Sequence, residues 1–529
     1  MLVSIFNDVI GPVMRGPSSS HCAAALRIGR LALDLVDGDL REVLVEFDVS
    51  GSLPTTHDTQ GSDMGLFGGL MGWDAADERL PNSMQTLRES GVGIRIETVD
   101  VGDPHPNTYR LTLTNDHERH NLRAISTGGG MMEVLDVDGF AVSMFGDCFE
   151  TLLWAKGEGT ALREKIATMV DADAVLLHEK TGLQLVEVKA QQFVPDALLD
   201  ELVNDGLVSA VKRLSPVLPV LSRRTTSVPF TTCSEMLAYD AGRNTPLWKL
   251  AVAYECARGG LTENEVVGMM VDIVRILRRS IAQGIAGTSY EDRVLGHQSG
   301  GFEQMMKAGK LLEAGALNRI ILYVTALMEV KSSMGVIVAM PTAGACAALP
   351  GAVIGMAEAM NLSEEDMARA ILASGLIGVF IATAWTFAAE VGGCQAEGGS
   401  AAAMAAGALV TLAGGTLAQS VAAASMAMQS MIGLICDPIA NRVEAPCLGK
   451  NVMAAANALS CANMALAGFD QVIPLDEVID TAKQVAKQMP RELRCTALGG
   501  LSITPTSLAI EQKLASKRAA CGAPSCSCK

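Results

Sequence analysis

The sequence predicts a multidomain α+β protein in three parts, and three observations predict it. Strand-like runs (VLVEFDVSG, VGIRIETVD, TYRLTLTN) punctuate residues 1–137, with glycine-rich turns such as STGGGMM between them. Residues 138–222 alternate between strand-like and helix-like runs. From residue 223 to 529, apolar residues recur at helical spacing. A chain of 529 residues is long enough for several domains, each with its own core.

Each part has its own justification. The first 137 residues read as an α/β domain, because the helical run CAAALRIGRLALDLV sits among the strands. In residues 138–222 the order reads strand (GFAVSMFG), helix (GTALREKIATMV), strand (DAVLLHEK), strand (LQLVEVKAQ) and helix (PDALLDELVNDGLVSAVKRL). That order suits a small split β-α-β, ACT-like module, which either binds an effector or simply packs between its neighbours. The remainder reads as a large all-α domain, with helices such as EVVGMMVDIVRILRRSIAQ and ALNRIILYVTALMEV. Four loops rich in glycine and proline interrupt it: MPTAGACAALPG, EVGGCQAEGGS, CDPIANRVEAPC and ALGGLSITPT. Three of them contain cysteine, and the fourth follows closely on Cys495.

Charge narrows the partners. The chain carries 58 acidic against 41 basic side chains, net −17, with no lysine or arginine block to offset it. Nucleic acid and anionic membrane surfaces are therefore excluded as partners, and a small molecule is expected. Thirteen scattered cysteines, and a start that lacks a basic segment followed by a long apolar one, argue for a reduced, cytoplasmic setting without a disulfide framework. The uncharged stretch from Ala370 to Ala389 is long enough to span a bilayer. Arg369 and Glu390 flank it, without a basic cluster or an aromatic belt, so a buried helix is expected.

Cys394, Cys436 and Cys447 stand in separate loops rather than in paired Cys-x-x-Cys knuckles. Spacing alone leaves two readings open. They are buried free thiols, or they are three ligands that converge at helix ends and leave a fourth metal position vacant.

The four loops, in this order, resemble the motifs of the α region of iron–sulfur-dependent L-serine dehydratases. GPSSSH, GSL, LFGGLMGWDAADERLP, HPNT and GGG resemble the family's β region, also in order. The resemblance spans nearly the whole chain. It implies a [4Fe-4S] cluster held by Cys394, Cys436 and Cys447, a homodimer, and a lyase that turns L-serine into pyruvate and ammonia. The open iron would act as a Lewis acid on the hydroxyl, with a nearby base for the Cα proton. Pyridoxal phosphate is not required. It also implies that a C-terminal cysteine folds back as a displaceable fourth ligand, here Cys528 in the tail AACGAPSCSCK.

Ser18, Ser19 and Ser20 precede a helical run, where backbone N–H groups make a receptor for the substrate carboxylate, although one serine would suffice as a plain cap. Ser52, Asp63 and Asn107 lie in the other β-region motifs and are expected to line the substrate site. The general base is expected among His57, His21 and His105, with His57 first. The family's own histidine position is filled by Gln60 in GSLPTTHDTQGSD, and glutamine is no base at neutral pH. That departure leaves room for another β-hydroxy or β-substituted amino acid as substrate, or for a non-catalytic cluster-bearing sensor. Zinc in place of iron is a further alternative.

Overall fold

The computed structural model describes residues 2–520, except Pro17 and Thr59. The chain divides into two compact units, one of Met1–Pro17 with Ser227–Lys529 and the other of Ser18–Thr226. Strand β1 (Val13–Arg15) belongs to the first unit, and the next ten strands build two sheets in the second.

The larger sheet contains β2 (Glu42–Asp48), β3 (Gly93–Val99), β4 (Thr108–Thr114), β5 (Arg119–Gly128), β6 (Met131–Val137) and β7 (Phe140–Met144), in the order β3-β2-β4-β5-β6-β7. Only β2 and β3 run parallel. Alternation along β4, β5 and β7 sends Tyr109, Leu111, Leu113, Leu122, Phe140 and Met144 into one core. Helices Ala24–Leu35 and Ser62–Gly69 join that core. They touch backbone to backbone, because a Cβ on Gly29, Gly65 or Gly69 would collide with carbonyls of Leu66, Cys22 and Leu26. Those close approaches explain Gly65 and Gly69 of SDMGLFGG, while Gly68 makes room for the Leu80 side chain.

The smaller sheet holds β8 (Phe149–Ala155), β9 (Ala172–Lys180), β10 (Leu183–Ala190) and β11 (Val208–Leu214), ordered β11-β8-β10-β9 and antiparallel throughout. With helices Gly159–Met169 and Asp196–Asn204 between them, the chain order is the split β-α-β-β-α-β arrangement.

Two expected elements differ. GFAVSMFG is β7, the edge of the larger sheet paired with β6, so that sheet runs past residue 137 to Met144. The smaller sheet starts instead with β8, whose buried Glu150 and Thr151 break the apolar pattern that marks a core strand. PDALLDELVNDGLVSAVKRL is not one helix. Gly206, at φ +72°, turns the chain out of the helix, and VSAVKRL continues as β11.

The other unit is helical apart from β12 (Val336–Val338), which pairs antiparallel with β1. The N-terminal segment thus belongs with the helices, and Ile5 N–H donates to the buried Glu255 carboxylate at 2.8 Å. At the centre lies Ser400–Leu412, whose alanines are fully buried. Helices Ala348–Ala359, Glu364–Ala384, Leu417–Gln429 and Cys447–Leu466 pack against it. Small side chains let these axes approach closely. Glu364–Ala384 is long and apolar enough to cross a membrane, but 78% of its most apolar window is buried, as in a core helix.

Candidate active site

The three predicted cysteines come from three loops of the helical unit. Cys394 precedes the turn Gln395–Gly399, which feeds the central helix. Cys436 lies in an extended stretch bridged to Arg494, and Cys447 is the first residue of Cys447–Leu466. Cys394 and Cys436 are in side-chain contact, Cys495 touches Cys436, and Cys394 and Cys447 line one small cavity.

Short polar clamps hold these loops together. Gln395 N–H donates to Leu434 O (2.9 Å), its side-chain oxygen accepts from Gly433 N–H (2.8 Å), and its amide reaches Ala482 O. Cys436 N–H donates to Leu493 O, and Cys495 N–H to Cys436 O. Lys450 lies one turn beyond Cys447 on the same helix face. Its ammonium is 2.7 Å from Ile435 O, 2.6 Å from Asp437 Oδ1 and 3.6 Å from Cys394 Sγ. Asp437 Oδ2 accepts from Leu501 N–H, which follows Gly500, a residue at φ +58°. A Cβ on Gly500 would stand 2.6 Å from Asp437 Cβ, so glycine is needed twice over in the GGL motif.

The cavity is lined by Gly344, Ala345, Cys394, Glu397, Gly398, Cys447, Lys450 and Asn451. Asn451 ties its walls by accepting from Ala347 and Ala348 N–H and donating to Gly344 O and Cys447 O. Glu397 Oε1 accepts from Thr342 Oγ1 at 2.7 Å. Gly344 packs so near Glu397 that a Cβ there would meet the carboxylate at 2.7 Å.

Burial governs the charges. It pushes the Glu397 carboxyl up to about 7, against the Thr342 hydrogen bond and the positive charges of Lys331 and Lys450, and with the help of Glu390. It pushes the Cys447 thiol up to about 12, against Lys331. Sharing hydrogen bonds with Cys394 and Cys495, besides burial, drives Cys436 far above a free thiol. These thiols therefore stay protonated unless a cation replaces the protons. No group of three His, Cys, Asp or Glu among the described residues is arranged to hold a single metal ion. Cys528 lies outside the described residues.

The serine and histidine motifs fall in the Ser18–Thr226 unit. Ser18 occupies an extended N-cap position before the turn Ser19–Ala23, yet its hydroxyl bonds His21 Nδ1 (2.9 Å) instead of capping. Ser19 is buried, and Ser20's side chain lies outside what the structure describes. His21 Nε2 pairs with Thr56 Oγ1 at 3.1 Å, so both ring nitrogens are engaged. Burial lowers its pKa to about 4, which keeps it neutral.

His57 differs. Its Nδ1 meets both Asp63 carboxylate oxygens at 2.7 and 2.8 Å, while Nε2 has no partner among the described residues. Burial opposes a charge on His57, but the Asp63 hydrogen bond and the charges of Asp63 and Asp58 outweigh it and hold the pKa above 6.5. His105 Nδ1 accepts from Asn107 N–H, and the Ser52 hydroxyl bonds the Asn107 side-chain oxygen. These three residues stitch two loops together, and Asp63 is engaged with His57.

The motifs therefore form two constellations: thiols with Lys450 and Glu397, and Ser18–His21–Thr56 beside His57–Asp63. Glu397, Lys450, Asp437 and Thr342 were not anticipated from sequence. The available signal was an acid three residues after Cys394 and a lysine three after Cys447.

Known proteins are similar to this chain in sequence. The sequence profile of the serine dehydratase alpha chain family matches residues 242–502. The probable L-serine dehydratase alpha chain of Bacillus subtilis (strain 168) is 34% identical over 285 residues, covering 54% of this chain and 95% of that protein. The probable beta chain from the same organism is 34% identical over 209 residues, covering 38% of this chain and 92% of its own. The L-serine dehydratase of Streptomyces coelicolor is 28% identical over 520 residues, covering 95% of this chain and 99% of its own. The chain belongs to the L-serine dehydratase family of lyases, with the β and α regions fused in one polypeptide.

Proposed function

We propose that this protein dehydrates L-serine, releasing pyruvate and ammonia, with a [4Fe-4S] cluster held by Cys394, Cys436 and Cys447. The observation that carries this reading is the gathering of thiols from separate motif loops, with Cys394 touching Cys436 and sharing a cavity with Cys447. A donor set made of cysteines alone suits an iron–sulfur group. Bound there, the cluster would supply a Lewis-acidic iron for the substrate hydroxyl.

The chain's own residues do the rest. His57, oriented through Nδ1 by Asp63, presents Nε2 to accept the Cα proton. The segment that begins at Ser18, whose hydroxyl makes no cap hydrogen bond, offers donors to a carboxylate. Neutral His21 positions Ser18 and Thr56. The enamine left after water departs becomes an imine and hydrolyses without further catalysis. Gln60, where the family carries histidine, favours one second reading, a related β-hydroxy amino acid as substrate. In the same reading the enzyme works as a cytoplasmic homodimer, and the split β-α-β module is an ACT-like domain.

The test is anaerobic purification, iron and sulfide counting, and assay of 2-oxo acid release from a panel of β-hydroxy amino acids. Cluster present with serine turned over best is the expected result. An intact cluster with no turnover of any substrate would mean a sensor instead.

A further inference from the structure

The cysteine cavity contains one acid that the scheme above does not use. Glu397 lines it together with Cys394, Cys447, Lys450 and Asn451. Thr342 occupies Oε1, and Oε2 has no partner among the described residues. The Glu397 side chain is half-buried and borders the cavity. Its placement is specified from two sides, by the Thr342 hydroxyl and by Gly344, whose missing side chain leaves room for the carboxylate. An acid merely filling space would not need a glycine and a hydroxyl arranged around it. The charged groups that act on it are Lys331, Lys450 and Glu390, and the two lysines do not neutralise it by direct pairing, since Lys450 is spent on Asp437 and Ile435 O, and Lys331 on Val443 O.

We infer that Glu397 is a catalytic acid that protonates the departing β-hydroxyl. This rests on the dehydratase reading above. In the step, the Cα–H pair of electrons forms the Cα–Cβ double bond, and the Cα proton goes to the base that the dehydratase reading requires. The Cβ–O bond breaks with both electrons staying on oxygen, which takes the Glu397 proton and leaves as water. Glu397 is left as carboxylate and is reprotonated from solvent, as the base returns its proton there. Charge and atoms balance, and no oxidant or reductant is needed. Hydroxide is a poor leaving group, so a proton delivered at bond cleavage is where an acid contributes most. The near-neutral carboxyl is consistent with such a donor.

The leaving group supplies the test. Wild type, Glu397→Gln and Glu397→Asp are purified anaerobically, iron and sulfide are counted, and elimination is measured from L-serine and from β-chloro-L-alanine, whose chloride departs without a proton. Glu397→Gln is expected to keep wild-type iron and sulfide, to lose roughly 100-fold or more in kcat/KM on L-serine, and to lose less than about 5-fold on β-chloro-L-alanine. Glu397→Asp, which retains an acid, is expected to recover part of the serine rate. Equal losses on both substrates, or an undiminished serine rate, at full iron content would overturn the inference. So would loss of iron and sulfide in both variants, which would make Glu397 a builder of the cavity. Wild type inert toward both substrates would sink the dehydratase reading itself, a distinct result.

Discussion

Lys450 and Asp437 form an ion pair of 2.6 Å between the helix that begins at Cys447 and the loop that carries Cys436, with side chains only 15% and 6% exposed. Removing one partner of a buried pair strands the other charge, which costs about 3 kcal/mol or more. Lys450→Met is expected to lower the unfolding free energy of the apoprotein by that amount in urea titrations. Lys450→Met with Asp437→Asn should lose less than the two single changes together, because neither charge is then left alone.

Asp63 makes His57 more basic, and a base must be deprotonated to work. The rate should therefore climb with pH through a limb lying above pH 6.5. Asp63→Asn should move that limb to lower pH and reduce the plateau at least about 10-fold, as the ring loses its orientation. The pH profile of kcat/KM checks both. Because the native pKa is raised, the charged pair stabilises the fold below the unfolded value of 6.5 and that contribution fades as pH rises through the native value. Asp63→Asn should accordingly cost more stability at pH 6 than at pH 9.

His21 carries the opposite sign. Its native pKa is lowered to about 4, so the unfolded chain binds the extra proton first as pH falls below 6.5. Between those values wild type should lose about 3 kcal/mol that a His21→Gln variant does not. Thermal unfolding across that window measures the difference.

Gly500→Ala combines a left-handed backbone with a methyl 2.6 Å from Asp437 Cβ. A loss of about 2 kcal/mol is expected in denaturant unfolding, from strained backbone plus the displaced Asp437. Gly309→Ala, at a similar φ of +63° but with open space around its Cβ, should cost less.

Much of this was legible in the chain. The helical periodicity after residue 223 and the cysteine-bearing loops are local patterns, and the structure brings Cys394 and Cys436 into contact. Strand β8 was not legible, because Glu150 and Thr151 are buried polar residues in a core strand, and the acid is accounted for by Lys189 and the Cys148 thiol, which meet it only in the fold. Residues 196–214 read as one helix, since a single Asp-Gly break between two amphipathic runs leaves the helical apolar spacing almost unbroken. At the site, an acid among glycines gives no sign of which way it faces. Glu397 and Lys450 acquire meaning only when folding sets Thr342 and Asp437 beside them. His57 could be ranked from its motif, but its Asp63 partner is visible only in three dimensions.

The most direct measurement is iron and sulfide stoichiometry, with the visible spectrum, for anaerobic wild type and for Cys394→Ala, Cys436→Ala and Cys447→Ala. About four iron and four sulfide per chain in wild type, lost in each single variant, is the result expected for a three-thiolate cluster. Wild type without sulfide, or all three variants with an unchanged cluster spectrum, would contradict it.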